Sequence, residues 1–172
     1  LTGHDPIVDP LLPRGTGQKL AAVIDELRLV KDDWEISRLQ HACDATARGF
    51  ADVAREIPVV LDRPVRGERW LEGTFGLHAR HHGNGVGYDS ICAAGDHANT
   101  LHWIKNTGDI EPDDLVLIDA GVEVDSLYTA DITRTLPASG SFTNRPEAVW
   151  SRCKSAALSF MPSCSHSAET LS

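Results

Sequence analysis

The chain has 172 residues, of which 41% are hydrophobic and 24% are charged. These proportions are typical of a globular domain and exclude a disordered or fibrous chain. The net charge of -9 at pH 7 argues against a nucleic-acid partner, because phosphate neutralisation requires clustered Lys and Arg. No apolar stretch approaches the roughly 20 residues that span a bilayer. We therefore predict a cytoplasmic protein that binds neither nucleic acid nor membrane.

The first half of the chain is predicted to be mainly helical. Residues 1–17 contain three Pro and three Gly, which is typical of a linker, and residues 20–30 are predicted to form a short helix and a strand. Apolar side chains then recur at three- and four-residue steps from residue 31 to 57, which predicts a long helix. Asp32 suits its first turn, and Pro58 is predicted to end it.

The second half of the chain is predicted to be mainly β. A less regular helix over residues 66–79 leads into a loop rich in Gly and His. Four segments of strand character then follow, separated by polar turns: residues 87–94, 100–103, 115–120 and 128–136. Helices followed by a run of strands, without regular alternation, predict an α+β fold in which helices pack on a mainly antiparallel sheet.

Asp119 and Asp131 are the strongest candidates for metal ligands. Asp119 comes near the end of an apolar strand, where an ionised carboxylate costs several kcal/mol unless a partner or a metal neutralises it. Asp131 lies in the next predicted strand and is the same case, and the hydroxyls of Thr133 and Thr135 are suited to hold its carboxylate in place. On these residues alone an alternative stays open, in which Asp119 caps a turn and Asp131 pairs with Arg134.

Histidines offer further candidates. His102, in the predicted strand 100–103, is suited to donate to a carbonyl or to a tetrahedral intermediate, although a lone His in such a strand is more often a core residue. His78, His81 and His82 form a cluster in sequence, but the adjacent His81 and His82 in the predicted loop lack the spacing of a tetrahedral zinc site. The Gly-rich residues 83–87 lack the context of a dinucleotide-binding motif and are predicted to form a flexible turn.

Five segments of the chain carry a joint pattern that is much more specific than any one of them. The segments are Leu27–Ile36, Asn84–Asp89, Asn99–Trp103, Asp114–Gly121 and Tyr128–Pro137. Together they resemble the Xaa-Pro aminopeptidases (aminopeptidase P) of the pita-bread metallopeptidase family. The resemblance implies the first half of a pita-bread (creatinase/aminopeptidase) fold.

The resemblance also implies roles for the candidate site residues. Asp119 matches a terminal ligand of one metal, Asp131 matches the ligand that bridges two metals, and His102 matches a histidine that contacts the substrate. The implied cofactors are two divalent metal ions, manganese first, with cobalt or zinc as substitutes. The implied reaction removes an N-terminal residue ahead of proline, so the expected partners are peptides with proline in the second position.

The resemblance divides the chain into three parts. Residues 1–25 are predicted to be a lead-in from a missing N-terminal domain, 26–143 a partial catalytic domain, and 144–172 an atypical Ser-rich tail. Because the family's remaining His and Glu ligands are not recognised after residue 143, we expect an incomplete chain with weak or no activity. An Xaa-Pro dipeptidase of the prolidase kind and a non-catalytic pita-bread binding module are alternatives. A homo-oligomer is also compatible with the sequence.

Overall fold

The computed structural model describes residues 17–63 and 66–142, together with Ile7 and Pro10. Helices occupy the first part of this region and short strands the second. The elements are α1 (Gly17–Leu29), α2 (Asp33–Leu61), α3 (Gly67–His82), β1 (Gly85–Val86), β2 (Ile91–Ala94), a 3₁₀ helix (Gly95–Asn99), β3 (Leu115–Ala120), β4 (Val122–Glu123) and β5 (Ile132–Pro137). Within the described ranges, no helix has both the length and the apolar content needed to cross a bilayer.

Helix α2 begins with a capping box and continues past its predicted end. The Asp32 carboxylate accepts from the Glu35 N–H at 2.8 Å, and the Glu35 carboxylate accepts from the Asp32 N–H at 2.8 Å. The predicted stop at Pro58 is wrong, because Pro58 lies inside the last turn of the helix, which continues to Leu61. A proline inside a helix costs about 3 kcal/mol, but Ile57 and Val60 are buried on either side of it. Burying each of these side chains contributes about 1.5–3 kcal/mol, which offsets the cost.

Three other predicted elements differ from the structure. Residues 20–30 do not contain a strand, since α1 is a single helix that ends at Leu29. Helix α3 ends at His82 rather than near residue 79, so His81 and His82 lie on its last turn and not in a loop. Residues 100–103 form turns after the 3₁₀ helix instead of a strand, and the Leu101 side chain is exposed.

The sheets confirm the predicted α+β class and its antiparallel character. One sheet has three strands in the order β2-β3-β5, and a second sheet pairs β1 with β4. Every pairing is antiparallel. Strand β3 matches its predicted bounds residue for residue, whereas β2 and β5 occupy the second parts of the segments predicted for them. Residues 83–87, predicted as a flexible turn, include strand β1.

The core lies between the helices and one face of the three-stranded sheet. Val116, Ile118 and Ala120 are buried on that face, and α2 and α3 pack against each other through a perpendicular contact of Phe50 with Phe75. The other face of β3 is only half-buried. Asp119 therefore lies on this half-exposed face and not on the core side of the strand.

Gly121 connects β3 to β4 at a place where no side chain fits. A Cβ atom there would lie 1.6 Å from the Ala130 carbonyl oxygen. We expect Gly121→Ala to lower the free energy of unfolding by at least about 1–3 kcal/mol, the usual cost of overpacking. Urea denaturation followed by circular dichroism measures this change.

The matched control is Gly76→Ala on α3, where a Cβ would meet nothing within 4 Å. Alanine is favoured over glycine in a helix by about 0.5–1 kcal/mol, so this variant should be slightly more stable than the parent. Equal effects of the two substitutions would contradict the close packing described for Gly121.

Candidate metal centre

Asp119 and Asp131 are brought to one face by the register of β3 with β5. Asp119 is opposite Thr133 in this pairing. Asp131 comes two residues before Thr133, immediately ahead of β5. Because side chains alternate between faces along an extended chain, Asp131 and Thr133 are on the same face as Asp119. This register explains how two aspartates twelve residues apart in sequence come to lie on one face of the sheet.

The side chain of Tyr88 joins the two carboxylates. Its hydroxyl oxygen is 2.6 Å from Asp119 Oδ1 and 3.0 Å from Asp131 Oδ1. The two carboxylate oxygens are therefore no farther apart than the sum of these distances. The Thr133 hydroxyl donates to the other oxygen of Asp119 at 2.6 Å, whereas the sequence predicted that it would hold Asp131. The structure thus brings Asp119 and Asp131 together, while their role as metal ligands stays a prediction.

The alternative roles considered for the two aspartates do not match these contacts. Both oxygens of Asp119 accept from side-chain hydroxyls rather than from a turn backbone. Arg134 donates to the Thr133 carbonyl at 2.8 Å. Among the described residues, no salt bridge links Arg134 to Asp131.

One hydroxyl proton is shared between two acceptors at this site. Burial raises the pKa of Tyr88 far above its usual value, and the hydrogen bond and charge of Asp119, followed by those of Asp131, raise this pKa further. The phenol therefore stays protonated, but its single proton can be donated to only one carboxylate at a time. Two convergent carboxylates with one donor between them form a donor set that suits a hard divalent cation.

The described residues offer suitable ligand chemistry for a metal ion but too few ligands to enclose one. Across residues 17–63 and 66–142, no three His, Cys, Asp or Glu side chains are arranged to hold an ion together. Asp119 and Asp131 supply two oxygen ligands of the right type. The surroundings are acidic as well, since residues 106–133 include eight Asp or Glu and no Lys or Arg.

Two glycines allow Tyr88 to reach the aspartates. The Gly87 N–H donates to the Gly121 carbonyl at 2.9 Å, and a Cβ on Gly87 would lie 2.0 Å from Thr129 Cγ2. Tyr88 belongs to the family-like segment Asn84–Asp89, but the sequence pattern predicted no role for it. The signal that could have identified it is the Gly-Tyr pair directly after a Gly-rich segment, which indicates a close approach of the backbone.

His102 makes no hydrogen bond or ion pair with this arrangement among the described residues. It is exposed in the turn that follows the 3₁₀ helix. No hydrogen bond among the described residues joins its ring to Asp119 or Asp131. Its role as a substrate contact therefore stays a prediction from the resemblance.

The other histidines form a separate group at the end of α3. His78 Nδ1 is 2.8 Å from Asp52 Oδ2 on α2, and the His78 and His82 rings are 4.3 Å apart. Burial lowers the pKa of His82, and the neighbouring charges of His78, His81 and Arg48 lower it further. This group is built into the contact between two helices.

The comparison with protein families identifies the chain. The model of Metallopeptidase family M24 matches residues 37–167, about three quarters of the sequence. The chain belongs to metallopeptidase family M24. The match extends beyond residue 143, where the sequence pattern had suggested the end of the catalytic part, and the predicted domain boundaries stay predictions.

Curated relatives of this M24 chain include two proteins of Streptomyces coelicolor. Xaa-Pro aminopeptidase 2 is 57% identical over 126 residues, which cover 73% of this chain and 26% of the relative. Xaa-Pro aminopeptidase 1 is 52% identical over 134 residues, which cover 77% of this chain and 26% of the relative. The M24 chain therefore spans about a quarter of the length of these relatives.

Solved structures of aminopeptidase P share the fold of this M24 chain. Proline aminopeptidase P II from Yersinia pestis superposes with a TM-score of 0.65 at 33% identity, over 77% of this chain and 29% of that one. Aminopeptidase PepP from Pseudomonas aeruginosa gives a TM-score of 0.65 at 34% identity, over 77% and 29% of the two chains. The α+β arrangement is thus part of the pita-bread fold, as the sequence predicted.

The raised pKa of Tyr88 predicts a loss of stability in alkali. Above pH 10 the unfolded chain releases the phenolic proton that the folded chain keeps, so the free energy of unfolding should fall as the pH rises. Absorbance at 295 nm should show Tyr88 ionising together with unfolding and not before it. Tyr88→Phe should reduce this alkaline loss, and at neutral pH should cost about 1–3 kcal/mol through the lost hydrogen bonds to charged groups.

Tyr128→Phe is the control, because Tyr128 is the only other tyrosine and leaves Tyr88 in place. Its own pKa is raised, first by its hydrogen bond to Glu35. If the Tyr128→Phe variant, in which Tyr88 is the sole phenol, ionises near pH 10 while still folded, the Tyr88 contacts described above are not present in solution.

Proposed function

We propose that this protein is a metal-dependent aminopeptidase that removes an N-terminal residue ahead of proline. The observation that carries the proposal is the convergence of Asp119 and Asp131 on the Tyr88 hydroxyl, in a chain 57% identical to Xaa-Pro aminopeptidase 2 over 126 residues. Convergent carboxylates are the hard oxygen ligands that divalent cations prefer. The substrates would be peptides with proline in the second position.

In this proposal each residue of the site has a separate task. Asp119 and Asp131 would hold two divalent cations, manganese first and cobalt or zinc as substitutes, and Asp131 would be the ligand common to both. Such cations lower the pKa of a bound water and stabilise negative charge that develops on the scissile carbonyl. Tyr88 and Thr133 fix the orientation of Asp119 by donating to its two oxygens. His102 contacts the substrate near the bond that is cleaved.

Other parts of the assignment stay predictions. The choice between an aminopeptidase and an Xaa-Pro dipeptidase depends on groups that bind the far end of the substrate, and the described residues do not identify them. A non-catalytic binding module would not require two carboxylates held so close together. A cytoplasmic location and a homo-oligomeric state also stay predictions.

Manganese binding tests the ligand assignment directly. With two carboxylates among the described residues, we expect the 172-residue chain to bind manganese weakly, because affinity at hard-ligand sites falls with the number of charged ligands. Isothermal titration of Asp131→Asn with manganese should show at least about a tenfold loss of the remaining affinity, since this change removes a charge but preserves shape.

The matched control for this titration is Asp125→Asn, which removes an exposed acid from the turn between β4 and β5. It should bind manganese as the parent does. Equal losses in the two variants would indicate a general effect of charge rather than a site. Two tight manganese sites on the parent chain would contradict the expected weak binding.

Peptide hydrolysis tests the reaction. With added manganese we expect slow release of the first residue from an Xaa-Pro-Xaa tripeptide, abolished by a chelator and by Asp131→Asn. His102→Ala should lower the rate about a hundredfold, the typical effect of removing a group that stabilises a developing charge. His41→Ala, which changes an exposed histidine on α2, should not lower the rate.

The substrate series separates the candidate activities. Cleavage of an Xaa-Pro dipeptide without cleavage of the tripeptide would favour the dipeptidase alternative. Turnover that survives chelation would contradict the proposal that Asp119 and Asp131 act through metal ions.

A further inference from the structure

Glu68 is a fully buried acid on the first turn of α3. Each of its carboxylate oxygens has two hydrogen-bond partners. Oε1 accepts from the Ala94 N–H at 2.9 Å and lies 2.8 Å from His97 Nδ1. Oε2 accepts from the Trp103 indole N–H at 2.8 Å and from the Gly108 N–H at 2.7 Å. A buried carboxylate costs several kcal/mol unless it is bonded in this way, so its position depends on all four contacts.

The four partners of Glu68 are spread along a single segment, residues 94–108. Ala94 is the last residue of β2, and the rest of the segment lies between β2 and β3 and contains no regular element beyond the short 3₁₀ helix. Its shape therefore depends on side-chain contacts rather than on a ladder of backbone hydrogen bonds. The Glu68 carboxylate contacts the segment at its beginning, at its middle and near its end, and links all three places to α3.

Contacts within the segment support the same geometry. The His97 and Trp103 rings stack with their centroids 3.9 Å apart, and Lys105 Nζ lies 6.0 Å from the centre of the Trp103 ring. A Cβ on Gly108 would lie 2.7 Å from His97 Nδ1 and 2.9 Å from Glu68 Cδ. Only glycine at this position allows the backbone to come close enough to donate to the carboxylate.

A second anchor joins the end of the segment to β2. Asn106 is fully buried and has a left-handed backbone, with φ of 45°. Its side chain accepts from the Cys92 N–H at 2.9 Å and donates to the Ser90 carbonyl at 2.8 Å. With anchors at His97, Trp103 and Asn106, the exposed stretch that carries His102 is reduced to a few residues.

We propose that Glu68 is the positioning residue for His102. Trp103 directly follows His102, and its indole donates to a buried carboxylate that has three further hydrogen-bond partners. The backbone of His102 is therefore fixed in place even though its side chain is exposed. This inference rests on the proposed function only for the role of His102 in hydrolysis. The ordering of residues 94–108 by Glu68 does not depend on metal, substrate or activity.

Hydrogen–deuterium exchange on the 172-residue chain tests the ordering. Trp103→Phe removes the indole N–H but retains an aromatic ring for stacking. Glu68→Gln places an amide N–H opposite at least one N–H donor and so loses at least one bond. In both variants we expect exchange in residues 95–108 to rise tenfold or more while α2 and β3 stay protected. Because the two substitutions are tested separately, the proposal can still be judged if one of the variants does not fold.

Trp70→Phe is the matched control. The Trp70 indole donates to Glu56 at 2.7 Å, so the substitution removes a bond of the same type from the outer surface of α3, away from the segment. Exchange in residues 95–108 should not change in this variant. A rise of equal size in Trp70→Phe, or no rise in Trp103→Phe and Glu68→Gln, would overturn the proposal.

Tripeptide hydrolysis by the same variants separates this inference from the proposed function. If His102→Ala and Trp103→Phe both lower kcat with little change in KM, the positioning role is supported. If His102→Ala lowers kcat but Trp103→Phe and Glu68→Gln do not, the positioning role is wrong. If His102→Ala has no effect while exchange still rises in the Glu68 and Trp103 variants, the proposed role of His102 fails and the ordering by Glu68 stands.

Discussion

The antiparallel register of β3 with β5 is the constraint on which the candidate site depends. It places Thr133 opposite Asp119 and so brings Asp131 to the same face. A shift by one residue would move Asp131 to the core side of the sheet, where a carboxylate is costly. Ile132 and Leu136, which pack against the core from β5, oppose such a shift, because they would leave the core. Packing of the core and assembly of the site are thus specified by the same alternation.

Tyr88 adds an electrostatic condition to this geometry. Two carboxylates held close together repel each other, and one phenolic proton offsets that repulsion only in part. A bound cation would offset the remaining repulsion between the two carboxylates.

Much of the fold was accessible from the sequence because local signals and tertiary packing agree there. Strand β3 follows directly from the apolar pattern, and α2 begins within two residues of its predicted start, with Asp32 capping the helix rather than lying in its first turn. Pro58 misled the prediction, since burial of the flanking Ile57 and Val60 outweighs the proline's cost. Residues 100–103 read as a strand, but the Trp103 side chain bonds to Glu68 from a distant helix, a contact that no local pattern reveals. At the site, the sequence pointed to the two aspartates, but the bond from Thr133 to Asp119 and the contacts of Tyr88 depend on pairing between segments far apart in sequence.

The half-covered face of β3 has a consequence for the strength of metal binding. Asp119 shares this face with Leu115 and Leu117, which are also only partly buried. Any polypeptide that packs on these leucines would exclude water from the carboxylate and lower the local dielectric constant. The Coulomb attraction between Asp119 and a divalent ion grows as that constant falls. Packing of a polypeptide on this face and binding of the metal ion would then be thermodynamically linked, so that each favours the other.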